Sequence, residues 1–221
     1  IYTTYRYRNR PSLFLLTRGR RSPGRILRTM KATGAVYRGV FSPRGDRLAL
    51  VMSHRGATDI FTIPRKGTEP RNLTRHRSID VSPTWSPDER RIAFVSDRSG
   101  SPQVYTMNAD GSGVKRLTYN GGYNTAPVWS PDGKWIAYES RVGGQFDIWL
   151  IDPEGGTNVP LVDHRRSDEH PTWAPDSRKL AFSSTRRGRA EIYVIDVNGR
   201  NLQAVTDRGE NTAPHWGPYR R

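Results

Sequence analysis

Few side chains in this sequence have types and spacings that could do chemistry. Five histidines, His54, His76, His164, His170 and His215, could ligate a metal or move protons, but no pair of them falls in a His-Glu-x-x-His arrangement. There is no cysteine, which removes disulfides, thiolate metal sites and thiol nucleophiles together. Neither a Gly-x-Ser-x-Gly elbow, a phosphate-binding loop nor a dinucleotide glycine fingerprint occurs, so a nucleophilic hydrolase is disfavoured. The run Asn108-Ala-Asp110-Gly-Ser112 has the oxygen-rich look of a calcium loop. It lacks the downstream bidentate acid and sits where a hairpin turn is required, so the turn reading is preferred.

A second set of polar residues is periodic. Asp80, Asn124, Asp168 and Asn211 each stand five residues ahead of a tryptophan anchor, with Val36 as the exception at this phase. The anchors are Phe41-Ser42-Pro43, Trp85-Ser86-Pro87, Trp129-Ser130-Pro131, Trp173-Ala174-Pro175 and Trp216-Gly217-Pro218, spaced 44, 44, 44 and 43 residues apart. Seven residues beyond each of the first four comes an apolar segment, Leu48-Ala49-Leu50, Ile92-Ala93-Phe94, Ile136-Ala137-Tyr138 or Leu180-Ala181-Phe182. Further apolar pairs follow at Ile60-Phe61, Val104-Tyr105, Ile148-Trp149 and Ile192-Tyr193, with turn formers such as Asp110-Gly111 and Asn198-Gly199 between them.

Four short strands and three reversals in about 44 residues are the arithmetic of a propeller blade. The fold class predicted is all-β, a single β-propeller over residues 1–221, and five blades follow by count. They are residues 1–34 with 211–221, then 35–78, 79–122, 123–166 and 167–210. Aligned without gaps, Ile1 falls under Ile92, so the chain begins in a second strand and ends in a first strand. The C-terminal strand is therefore expected to join the N-terminal blade and close the ring. The anchor tryptophans are expected to pack between blades. Ser53/Arg55, Ser96/Arg98 and Ser140/Arg141, which recur after the second strand, are expected to bond between blades.

The spelling Ser82-Pro-Thr-Trp-Ser-Pro-Asp-Glu-Arg-Arg-Ile-Ala-Phe-Val-Ser-Asp-Arg98, and the terminal Asn211-Thr-Ala-Pro-His-Trp-Gly-Pro-Tyr219, resemble the TolB propeller family of the Tol-Pal envelope system. The resemblance implies six blades, an N-terminal domain that contacts TolA, a periplasmic location and no catalysis. It also implies binding of the peptidoglycan-associated lipoprotein, or an analogue, over one channel mouth. The positions that match the binding loops are Arg38, Asp80, Val81, Asn124, Thr125, Asp168, Glu169, His170, Asn211 and Thr212. At Asp80, Asn124, Asp168 and Asn211 the alternative is local: Asx side chains that accept backbone N–H groups at a strand entrance. Arg38 stands where a small residue is expected and Val81 where threonine is common. No cofactor is expected; a channel cation near Asp80 and Asp168 stays open as an alternative.

Charge adds a separate reading. The formal net charge is +15, and residues 1–78 hold 18 of the 36 Lys and Arg against Asp46, Asp59 and Glu69 alone. Arg18, Arg20, Arg21, Arg25, Arg28, Arg65, Lys66 and Arg71 would form one basic docking sector on two adjacent blades. That sector supports an alternative role as an extrinsic scaffold subunit held to a larger acidic or membrane complex. A gating propeller of a prolyl-oligopeptidase-like enzyme is the remaining alternative. Nucleic acid is disfavoured: Tyr2, Tyr5, Tyr7 and Tyr37 could stack on bases, but Tyr2 to Tyr7 sit on a predicted strand where their alternation is equally explained by packing. The longest apolar runs, Leu13–Leu16 and Leu48–Met52, fall far short of the roughly 20 residues that span a bilayer. No basic-then-apolar leader opens the sequence at Ile1.

Overall fold

The computed structural model describes residues 2–7, 10–15, 24–25, 36–54, 56–65 and 69–217. They form five antiparallel sheets arranged in chain order. The first sheet is β1 (Tyr2–Tyr7), β2 (Arg10–Leu15) and β3 (Gly24–Arg25), and the second is β4 (Val36–Phe41), β5 (Arg47–His54), β6 (Ala57–Pro64) and β7 (Arg71–Asn72). The third is β8 (Asp80–Trp85), β9 (Arg91–Ser96), β10 (Gln103–Asn108) and β11 (Lys115–Arg116). The fourth runs β12 (Asn124–Trp129), β13 (Ile136–Val142), β14 (Gln145–Ile151) and β15 (Asn158–Val162). The fifth is β16 (Asp168–Trp173), β17 (Lys179–Ser184), β18 (Glu191–Asp196) and β19 (Gln203–Ala204). Asn108–Ser112 is a hairpin turn, in which the Asp110 carboxylate accepts from the Ser112 N–H (2.9 Å) and hydroxyl (2.6 Å).

Strand periodicity explains the stacking, because successive side chains point to opposite faces and each sheet must bury both. In β9, Ile92 and Phe94 face the preceding sheet, clustering with Ala49, Ile60, Leu73 and Trp85. Ala93 faces the next sheet, clustering with Trp129, Ile136 and Tyr138. The same opposition recurs at Ala137 with Trp173. Each alanine leaves the volume that the next anchor tryptophan fills, which explains why a small residue interrupts every second-strand apolar run. The tryptophans are therefore inter-sheet wedges, and Trp85, Trp129 and Trp173 are each 8% exposed or less.

These wedges also carry a polar tie. Nε1 of Trp85 donates to the Val40 carbonyl (3.3 Å), that of Trp173 to Val128 (3.1 Å) and that of Trp216 to Thr172 (3.1 Å), each one sheet back. Trp129 departs from the pattern: its buried Nε1 has no acceptor. The Trp216 contact seats the 211–217 segment beside β16, as a first strand would sit. The expected pairing of this segment with β1 is not among the described strand pairs; β1 pairs with β2, and β2 with β3.

At the end where first and second strands meet, neighbouring turns latch together. Glu89 takes a left-handed φ of 61° and its carboxylate accepts the Arg44 N–H (2.5 Å) and pairs with Arg47 (3.1 Å). Ser177, also at φ 61°, accepts the Asp132 N–H through its hydroxyl (3.0 Å) at the equivalent junction.

Candidate functional site

Each first strand is broken by a bulge at the same phase. The register shifts between Tyr37 and Gly39, Val81 and Thr84, Thr125 and Val128, and Glu169 and Thr172. The residue three before each anchor has positive φ: Arg38 (28°), Ser82 (53°), Ala126 (49°), His170 (58°) and Ala213 (51°). The extra residue bends the strand and turns these backbones toward a common axis. Arg38-Gly39-Val40, Ser82-Pro83-Thr84, Ala126-Pro127-Val128, His170-Pro171-Thr172 and Ala213-Pro214-His215 together line one central cavity of about 500 Å³. Thus all five repeats, the terminal one included, converge on a single channel.

The periodic acids and amides do not point into it. Asp80, Asn124 and Asp168 are wholly buried at 0% exposure. Asp80 accepts from Nη2 of Arg98 through both oxygens (3.2 and 3.3 Å), and Asp168 accepts from Nη2 of Arg186 (2.9 Å). Each arginine also bonds a serine of its own sheet, Arg98 Nε to Ser96 (2.9 Å) and Arg186 Nε to Ser184 (2.8 Å). These bonds lie within one sheet, where the sequence reading expected bonds between blades; the reason is that the arginine folds back over the ring of its own second strand, Phe94 or Phe182. Where Val142 replaces the arginine, the acid becomes Asn124, whose Nδ2 donates to Gln103 (2.8 Å) and to the Asn120 carbonyl (2.7 Å).

The remaining mouth positions are more open. Val81, Thr125, Glu169 and Asn211 are half-buried, and Arg38, His170 and Thr212 are exposed. His170 adds a link across sheets: its N–H donates to Oε1 of Glu139 on β13 (2.7 Å), and its ring bonds the Ser183 hydroxyl (3.1 Å). Glu139 was not singled out by sequence reasoning. The signal was there, because Val51, Val95 and Ser183 hold the same phase in the other sheets. Burial pushes the Glu139 carboxyl above its ordinary range, opposed by the His170 N–H and by the charge of Arg38.

Of the basic sector, Arg65 lies over the Phe41 ring (5.9 Å) and Arg71 donates to the Asp110 carbonyl (3.0 Å). Arg18, Arg20, Arg21, Arg28 and Lys66 lie outside the described residues; Arg25 falls in β3.

The sequence model of the TolB beta propeller domain matches residues 2–220. The chain belongs to this TolB propeller family. Over 85 residues it is 42% identical to the Tol-Pal system protein TolB of Anaeromyxobacter dehalogenans strain 2CP-C, a stretch that is 38% of this chain and 18% of that protein. The TolB crystal structure from Acinetobacter baumannii superposes with a TM-score of 0.81 at 26% identity, covering 99% of this chain and 54% of that one. A putative TolB from Agrobacterium tumefaciens gives 0.78 at 27% identity, covering 88% and 73%. This chain thus spans about half the length of the A. baumannii TolB. An oligogalacturonate lyase, 17% identical with a TM-score of 0.68, shares the fold alone.

Proposed function

We propose that this chain is a non-enzymatic TolB-type propeller of the bacterial envelope that binds a protein partner at its channel mouth. The partner class is the peptidoglycan-associated lipoprotein or an analogue, and the location is the periplasm. The observation that carries this reading is the convergence of all five repeats on one channel whose rim exposes Arg38, His170 and Thr212, in a chain whose curated relatives are Tol-Pal system proteins. Recognition of this kind needs rigidly presented loops and no covalent step. The sheets supply the rigidity, because β8, β12 and β16 each wedge an anchor tryptophan into the core shared with the preceding sheet. Among the described residues no helix is long and apolar enough to cross a membrane.

The test is a surface-plasmon-resonance titration of the immobilised chain with purified, soluble peptidoglycan-associated lipoprotein. Saturable binding that Thr125→Arg and Thr212→Arg both weaken tenfold or more is expected. Absence of binding, or binding indifferent to both substitutions, overturns the reading.

A further inference from the structure

The polarity of the channel lining separates two kinds of guest. Of the residues that line the cavity, only Arg38, His170 and His215 can carry charge, and all three are bases; no carboxylate lines it among the described residues. Arg38 is exposed and forms no ion pair with any described residue. Its charge is the smallest of the influences on the Glu139 carboxyl, which lies two sheets away on β13. Glu139 itself is 6% exposed with one oxygen already engaged by the His170 N–H, and Asp80 and Asp168 are wholly buried against Arg98 and Arg186. Glu169, half-buried beside His170, is the one acid left open at this mouth among the described residues, and it does not line the cavity, whereas Arg38 does.

We infer that the channel mouth is a carboxylate-binding site, and that its occupant is an acidic segment of a protein partner, seated with a carboxylate on Arg38 and flanked by the His170 and His215 imidazoles. This rests on the mouth being the partner site and adds the chemistry of what enters it. A guanidinium offers parallel N–H donors to a carboxylate, and a cavity wall with no competing acid strengthens that attraction. A volume of about 500 Å³ lies within the roughly 300–1,000 Å³ of ordinary ligand pockets, room for one or two side chains rather than a folded element. The choice of a peptide over a free anion comes from the rim. Tyr37, Ile79 and Tyr123 are 39%, 55% and 40% exposed at the starts of β4, β8 and β12, and Tyr119, in the loop before β12, is 70% exposed. Such rings and side chains give contact area to the residues on either side of an inserted carboxylate, which a small anion cannot use.

Fluorescence anisotropy of the full chain with a labelled, end-capped Ala-Tyr-Glu-Glu-Tyr-Ala peptide, compared with the Gln-Gln version, tests this. The Glu peptide is expected to bind at least tenfold tighter, and Arg38→Gln to remove that preference. Arg178→Gln, an exposed arginine in the turn at the far end of the first strand, is expected to leave it intact. The proposal is overturned if the Glu and Gln peptides bind alike or neither binds. It is equally overturned if Arg178→Gln costs as much as Arg38→Gln, or if acetate competes as well as unlabelled peptide, which would mean a small-anion trap. Failure here is separable from failure of the partner reading. Lipoprotein binding that is lost in Thr212→Arg but unchanged in Arg38→Gln sinks the carboxylate site alone. Arg38-dependent peptide binding without lipoprotein binding sustains the site and rejects only that partner.

Discussion

Arg98 reaches back 18 residues in sequence to Asp80, its Nη2 lying 3.2 and 3.3 Å from the two oxygens of a carboxylate that solvent does not touch. The equivalent pair, Arg186 with Asp168, repeats the arrangement two sheets on. Between them, Val142 with Asn124 shows the same position with both charges removed. Acid and base are therefore present together or absent together.

That relationship predicts a double-mutant cycle. Arg98→Val alone leaves a buried carboxylate without its partner and should cost about 3–5 kcal/mol in urea denaturation of the full chain. Adding Asp80→Asn should recover most of the loss, because the pair then copies Asn124 and Val142. Two losses that simply add would show that the charges are not coupled.

The anchor tryptophans predict an asymmetry. Trp173→Phe gives up a hydrogen bond to the Val128 carbonyl, whereas Trp129→Phe removes an N–H that has no acceptor. The ring change is the same in both. Trp173→Phe should therefore be the more destabilising by about 1 kcal/mol in chemical denaturation. Equal losses would mean that the Val128 bond contributes nothing.

Glu139 and Glu89 predict opposite pH behaviour. The folded Glu139 carboxyl is raised by burial from an ordinary 4.5, so the folded state holds its proton more tightly and loses stability as pH rises from that value through the folded pKa. Glu139→Gln keeps an acceptor for the His170 N–H and removes the charge. It should be more stable than the parent at pH 7, with the advantage vanishing toward pH 4. An advantage that does not change with pH would show that the gain is not electrostatic.

Glu89 is lowered, first by the Arg44 N–H and then by Arg47, against the opposing cost of burial. Its stabilisation is present above the ordinary value of 4.5 and is lost as pH falls through the folded pKa. Glu89→Gly relieves the left-handed backbone yet breaks the latch. A net loss of about 1–3 kcal/mol at pH 7 is expected, shrinking in acid. The comparison is a denaturation series across pH; a deficit of the same size at every pH would mean the loss is conformational.

The blade architecture was legible because its cause is repetitive: a large anchor every 43 or 44 residues needs a facing small residue, and Ala49, Ala93 and Ala137 supply it in plain sight. The ring of left-handed residues was not. Ser82, Ala126, His170 and Ala213 all precede proline, a context that ordinarily favours extended backbone, so only the bulge in the paired strand reveals them. The mouth was legible in part. The phase of Asp80, Asn124 and Asp168 marks the right strand, but the bulge within that strand, which breaks its alternation, decides which side chain faces the axis. It turns these three inward to the sheet and leaves the −3 residues, Arg38 and His170, on the channel. The partner of each acid lies a full hairpin away and emerges only when the repeats are compared with one another.

The bulged first strands have one more consequence. Four of the five left-handed residues are followed by Pro83, Pro127, Pro171 or Pro214, imino acids with no N–H to offer, and only Gly39 breaks the series. At four of the five bulges a visiting chain therefore meets an imino nitrogen that offers no N–H, which works against its enrolment as an added strand. Recognition then leans on side chains, which makes selectivity a matter of single residues such as Arg38.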